Sequence, residues 1–566
     1  MTGGAVDADA QLHWTEVDGV PVVWADDRGP LRASLMFRVG KADESLPTNG
    51  ITHLVEHLAL YRLGQQPHYQ NGSVRTSITS FDSVGEIDEV TSFLTGVCVG
   101  LTDLPTDRRE AEVRVLETEA SRRANSTFTA ALTWRYGPAG PGLWTYDEFA
   151  GVTADDAMLQ NWSNQMFCRD NAVLVLTGPP PAGLRLPLTA GARQAPPLLV
   201  DVVAHNPAWF RHGFGDVAAL TPVSRSAAAV AYTYALQHRL VEQLRFELGM
   251  AYSPSVDYDA YDGRTALLFA RTDAHADHLQ AVTDVLADSI DHLADHGPEP
   301  ERVEEYRTRT AARYVSEDAP TGLAYYVATD LLLKGERTSV ADLTDDLAAL
   351  TYDDVTATAV DARRRMVYAV PDIAALSPER AWRVPDWSTE PPVGGQEIRP
   401  VGSNQGWLTL GTEGLTHKLD TNRVATVRYA TCRAVLTWPD GRRVLISPEA
   451  VSISVEPSLW QDGRTVVASI DRNTSDRQIP RPARDPAEIP KPVDARPALI
   501  RKSVRTGQVL IWTGAVVFLL GVLSALIPAT RDLAANPVIG VVAGVWLVRW
   551  GASVRRDALT YRRSLE

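Results

Sequence analysis

One plan is written twice along this chain. The stretch "VTADDAMLQNWSNQMFCRDNAVLVLTG" opens with Thr153, Asp155 and Asp156 as a helix start, continues as a helix and ends in an apolar strand. In the second half, "LTYDDVTATAVDARRRMVYAVPD" repeats the pattern: Thr351, Asp353 and Asp354 start a helix, and "MVYAV" follows as a strand. At 566 residues the chain is too long for a single core. The echo therefore points to two tandem domains of similar size, joined through "LPLTAGARQAPPLL". Chance stays open as an alternative, because Thr-x-Asp-Asp is a common helix start. Ahead of the first echo, "LHWTEV" and "VPVVWA" flank Asp18 and Gly19, which predicts a β-hairpin, and "ASLMFRVG" predicts a further strand.

The segment "ITHLVEHLAL" carries candidate chemistry. Helix positions four apart lie on one face, so His53 and His57 can offer two imidazoles to one ion, with Glu56 projecting close by. Leu54, Val55 and Leu58 then turn to the core. Read alone, this is equally an amphipathic helix with a solvated polar face, since a catalytic zinc site usually needs three protein ligands. "EAEVRVLETEA" supplies an acidic pair, because Glu112 and Glu119 are two turns apart and share a face. Alone, that face reads as an acidic surface neutralised by Arg108, Arg109, Arg114 and Arg122.

In company the two segments read differently. "VGKADESLPTNGITHLVEHLAL" resembles the N-terminal signature of the insulinase/pitrilysin family of zinc metallopeptidases, which includes the mitochondrial processing peptidase. His-x-x-Glu-His is the inverted zinc-peptidase motif. The resemblance implies His53, His57 and Glu119 as ligands of one Zn²⁺ per chain. It implies Glu56 as general base towards the metal's water, and Glu112 as a residue orienting a ligand from behind. "LVEQLRFELGMAYSPSV" resembles the family's second-domain segment, where Arg245 and Tyr252 match an Arg and a Tyr that assist substrate and transition-state binding. Otherwise that stretch is a helix ending at Gly249 before a strand.

The fold implied is α+β, with two tandem similar domains at residues 10–185 and 200–375. Each is a mainly antiparallel sheet covered by helices. The family builds its chamber from four such domains, so the resemblance also implies a homodimer, with the zinc of one subunit facing Arg245 and Tyr252 of the other. The expected function is a zinc endopeptidase acting on peptides or unfolded protein segments. The alternative is a catalytically inactive member serving as a scaffold or peptide-binding subunit.

Beyond these domains, residues 400–470 predict a small β domain whose short runs pivot on Pro439, Asp440 and Gly441. Such a module could itself be the sensing part, for a partner or a lipid. Residues 471–500 predict a Pro-rich linker. From Thr506 to Thr530 there is no charged residue, and a second uncharged run covers Leu533 to Val548. Both predict transmembrane helices, a hairpin over 507–552. Arginines cluster outside the pair, so the positive-inside rule places both termini and the soluble domains in the cytoplasm of a two-helix cell-membrane protein. The net charge of −15 argues against nucleic acid as a partner. Three cysteines, odd in number and far apart, imply no disulfide framework, and the N-terminal stretch has no signal-peptide pattern.

Overall fold

In the computed structural model, β1 (His13–Val17) and β2 (Val20–Trp24) form a hairpin with Val17 opposite Val20. Asp18 and Gly19 at its tip take φ of 50° and 86°, the positive pair that a tight two-residue turn needs. The structure describes residues 12–492 except 28, 65–67, 123–124, 317–318, 403–405 and 421–422. It also describes 505–513, 515–517, 519–520, 543, 545–550 and 552–557.

The hairpin belongs to a six-stranded sheet with β3 (Leu31–Phe37), β4 (Tyr69–Val74), β5 (Thr79–Gly85) and β6 (Ala172–Leu176), in the order β1-β2-β6-β3-β5-β4. A second six-stranded sheet contains β7 (Ala208–His212), β8 (Asp216–Ser224), β9 (Ser255–Ala260), β10 (Thr265–Asp273), β11 (Val367–Pro371) and β12 (Trp382–Arg383). Its order is β12-β7-β11-β8-β10-β9. Five strands correspond in order and direction. In each sheet the strand that follows the echoed helix (β6, β11) enters parallel to one neighbour and antiparallel to the other. Only the edge differs, since β1 comes from the N-terminal hairpin and β12 from the end of the second half.

β6 and β11 are buried at every position. A strand read as a continuous apolar run is one covered on both faces, and side-chain alternation shows what covers it. Leu174 and Leu176 pack with α1 (Ile51–Tyr61), α2 (Ile87–Thr102) and helix Asp156–Met166. Val173 and Val175 face Ala324, Val327, Ala328 and Leu332 of helix Ala319–Lys334, which comes from the second half of the chain. The second sheet reverses the exchange. Tyr368 and Val370 pack with helices of the second half, while Val367 and Ala369 meet Ala131, Leu132 and Tyr136 from the first. The two halves are thus interleaved: each lends one helix to the outer face of the other's sheet. Arg135, on one of these lent helices, is fully buried and pairs in two-pronged fashion with Asp201 at 2.9 and 2.6 Å.

The echoed helix starts are not identical. Thr351 caps helix Tyr352–Arg364, accepting from Asp354 N. In the first half the cap is Asp155, accepting from Met158 N at 2.8 Å. Thr153 instead closes a separate short helix, Ala150–Thr153, with its hydroxyl donating to Phe149 O and Pro47 O. The forward cap of helix Asp156–Met166 therefore falls to Asp155 rather than to the threonine.

The chain divides into two compact units. The larger comprises Met1–Gly395, Thr409–Ser454 and Ala468–Ala483; the smaller comprises Gln396–Leu408, Val455–Val467 and Arg484–Glu566. In the larger, strands Ala434–Thr437 and Arg443–Ile446 pair around Asp440 and Gly441, the latter at φ 95°. Strand Gln478–Pro480, inside the stretch expected as linker, pairs parallel to the first of them. In the smaller unit, Arg484 holds Glu456 by two bonds of 2.8 Å.

The expected membrane hairpin over 507–552 is not borne out. Spanning the hydrocarbon takes about 20 apolar residues in one unbroken helix. Among the described residues no helix is long and apolar enough to cross a membrane. Residues 521–542, on which much of the expectation fell, lie outside the described residues. The two-helix cell-membrane localisation built on that hairpin is withdrawn with it.

Candidate metal centre

The site begins with how α1 starts. Gly50 stands at its N-cap with φ 91°, a left-handed position that favours glycine. A Cβ there would also come within 2.5 Å of Glu148 Cβ. No side chain of the cap itself satisfies the free N–H groups. The buried carboxylate of Glu44 does so from the preceding loop, accepting from Gly50 N at 2.7 Å and Thr52 N at 3.0 Å. Burial pushes the Glu44 carboxyl up, against the opposing charge of Lys41 and these hydrogen bonds. Asn49 Nδ2 donates to Asp147 O at 2.8 Å and to Tyr146 O at 3.2 Å, tying the loop that carries Glu148 to the start of α1.

α1 buries Leu54, Val55 and Leu58 and turns His53 and His57 to one side, with ring centroids 4.9 Å apart. α3 (Arg109–Arg122) runs beside it and contributes Glu112 and Glu119. His53 Nε2 and His57 Nε2 each lie 3.7 Å from a Glu119 oxygen. One ligand atom from each of the three residues falls within 4.8 Å of the others. That is too far for hydrogen bonds and suits a shared ion held at about 2 Å by each atom.

The far side of each ring is engaged. His53 Nδ1 meets Glu148 Oε2 at 3.0 Å, and His57 Nδ1 meets Glu112 Oε2 at 3.3 Å. A carboxylate only accepts, so Nδ1 carries the proton in each neutral ring and the Nε2 lone pairs face Glu119. Glu56, 4% exposed, has Oε2 3.9 Å from both Nε2 atoms. Burial raises the Glu56 carboxyl above its ordinary range, with His57 and His53 opposing. For His53, burial works to lower the pKa, but the hydrogen bond and charge of Glu148, with Glu56, leave it raised. The negative charge that favours a proton on this ring equally favours a metal cation. Two imidazoles and one carboxylate, with a buried carboxylate beside them, fit a metal site that keeps a position open for water.

The structure thus gathers five of the sequence-derived residues: His53, His57, Glu119, Glu56 and Glu112. Arg245 and Tyr252 lie apart from them. Helix Ala227–Leu240 runs on into a π-helical turn, Val241–Glu247, that carries Arg245. Gly249, at φ 61°, ends it before β9. The Arg245 guanidinium sits 5.1 Å from the Tyr252 ring, and Tyr252 is 72% exposed. Among the described residues, no contact joins this pair to the cluster on α1 and α3.

Glu148 is the residue that spacing alone does not reveal. It stands 95 positions from His53, on a loop with no motif. That loop is braced from the β-rich region: Leu143 and Phe149 pack with Ala434, Ile446 and Ile479, and Arg481 bonds Asp147 Oδ2 at 2.9 Å.

Residues 217–310 match the family model described as the peptidase M16 inactive domain. The metal-site residues lie outside that match. Solved structures share the fold. The peptidase M16 inactive domain from Pseudomonas fluorescens aligns with a TM-score of 0.51 at 12% identity, over 66% of this chain and 100% of that one. The first half of the periplasmic protease PqqL from Escherichia coli aligns at 0.51 and 13%, over 67% and 96%. A protease from Helicobacter pylori aligns at 0.50 and 14%, over 64% and 99%. At such identities the likeness establishes fold alone. The comparison with curated proteins gives no match.

Proposed function

We propose that this chain is a zinc-dependent endopeptidase acting on peptides or unfolded protein segments. The observation that carries the reading is the pair of imidazoles whose Nδ1 atoms are tied to Glu148 and Glu112 while both Nε2 atoms face Glu119. His53, His57 and Glu119 would hold the ion, which when bound supplies an acidified water and a polarising charge. Glu56, buried and 3.9 Å from both Nε2 atoms, is the base that takes a proton from the attacking water and returns it to the leaving amine. Arg245 and Tyr252 would donate to the substrate carbonyl as negative charge develops on it. Since they stand apart from the cluster on α1 and α3, the reading has them supplied by a second copy of the chain in a homodimer.

A second reading, an inactive peptide-binding or scaffold member, is favoured by the description of the domain matched at 217–310 and by the exposure of Glu119, whose side chain is 47% accessible. Metal analysis of the purified protein, together with cleavage of a quenched peptide library, separates the two. One zinc per chain, with cleavage that a chelator stops and zinc restores, is the expected result. Zinc-free protein without turnover would favour the scaffold.

A further inference from the structure

Away from the metal centre the larger unit contains a cavity of 510 Å³, within the range of small-ligand sites, about 300–1,000 Å³. Its wall combines Trp134 and Tyr146 from the first half, Trp382, Asp386 and Trp387 from the end of the second, and Glu449 from the β-rich region. Among the described residues, no Lys, Arg or His lines it. Trp134 is steadied by stacking on Phe210 at 5.0 Å, and Trp382 packs edge-on to His205. Trp387 has Arg423 5.9 Å from its ring, so one indole of this wall already receives a cation.

The two acids differ. Asp386 is paired with Arg383 at 3.0 Å. Glu449 is fixed by neutral donors: Thr389 Oγ1 at 2.6 Å, Thr389 N at 3.2 Å and Ser388 Oγ at 3.4 Å. Among the described residues it has no cationic partner. The cavity therefore offers three indoles and one anchored, uncompensated carboxylate. An anion would be repelled, and a neutral apolar molecule would gain nothing from Glu449. A cation with an apolar body gains from both, because indole faces are the strongest aromatic partners for ammonium and guanidinium groups.

We propose that this cavity binds an organic cation with an apolar body, either a free alkylated amine or the basic side chain of a peptide. Calorimetric titration of the full chain tests it, using choline and its neutral carbon isostere 3,3-dimethylbutan-1-ol, and N-acetyl-lysine amide against N-acetyl-norleucine amide. Saturable binding of at least one cation at one site per chain is expected, about tenfold or more tighter than its neutral counterpart. Tighter binding of choline assigns a free amine; tighter binding of the lysine derivative assigns a peptide side chain. Glu449→Gln keeps an acceptor for Thr389 and should weaken the cation about tenfold while leaving the neutral compound unchanged. Trp387→Ala should weaken it further, with thermal melts checking that both variants fold. Equal binding of cation and isostere, no binding of either cation at tens of millimolar, or indifference to Glu449→Gln in a folded protein would each overturn the proposal.

Discussion

Removing Glu148 should weaken zinc binding without removing a ligand. Its Oε2 lies 3.0 Å from His53 Nδ1, closer than the 3.3 Å from Glu112 to His57. Partners behind metal-bound histidines typically contribute 10- to 100-fold in affinity, about 1.4–2.7 kcal/mol. Glu148→Ala, which deletes both charge and acceptor at the shorter contact, belongs near the 100-fold end. Glu148→Gln, which keeps an acceptor oxygen and loses the charge, belongs nearer tenfold. Glu148 also lies 3.2 Å from Lys41 Nζ, whose side chain is only 3% exposed and whose other carboxylate, Glu44, is 3.5 Å away. The metal-free variant should therefore melt somewhat earlier, because a buried ammonium loses one of two counter-charges. Competition with a chromophoric zinc chelator at fixed pH gives the affinity, and melts of the metal-free protein give the stability. Glu119→Ala serves as reference, since it should lose the metal and leave Lys41 untouched. Wild-type zinc affinity in Glu148→Ala would refute the reasoning, because the Nδ1 contact would then contribute nothing to holding the ring.

Other changes separate the remaining roles. Glu56→Gln should keep zinc and lose peptidase activity, since the amide is nearly isosteric and cannot accept the proton; near-normal turnover in a quenched-peptide assay would exclude Glu56 as the base. Neither Glu56→Gln nor the double change Arg245→Ala with Tyr252→Phe should be active alone, whereas mixed dimers should regain up to about half the wild-type rate if the sites act independently. Verified subunit exchange with no recovery would place both parts of the site within one chain or with a different partner. Leu332→Ala, at a residue 3% exposed in the cluster with Val173 and Val175, should cost about 2–5 kcal/mol in denaturant titration. A loss below about 0.5 kcal/mol would mean that helix Ala319–Lys334 is not a structural part of the first sheet's core.

The β1–β2 hairpin, α1 with its polar face and the apolar strands β6 and β11 could all be read from the sequence. Each is specified by local periodicity or turn chemistry, which neighbours in the chain supply by themselves. The group formed by His53, Glu56, His57, Glu112 and Glu119 was legible for the same reason, because two helical spacings fix two faces. Pairing those faces rested on the family resemblance. Glu148 and the Glu44 cap on α1 were not legible, since a loop carboxylate acquires a role only when packing brings it against a distant ring or helix end. The interleaving of the halves was equally hidden. A continuous apolar strand announces that both its faces are covered, but only the tertiary structure shows that helix Ala319–Lys334 covers one sheet and helix Thr127–Tyr136 the other. The uncharged C-terminal runs read as membrane helices by composition, whereas among the described residues no helix is long and apolar enough to cross a membrane. What the sequence determined is what depends on spacing along one element. What the tertiary structure decided is which elements meet, because burial is a property of pairs of surfaces and not of any one of them.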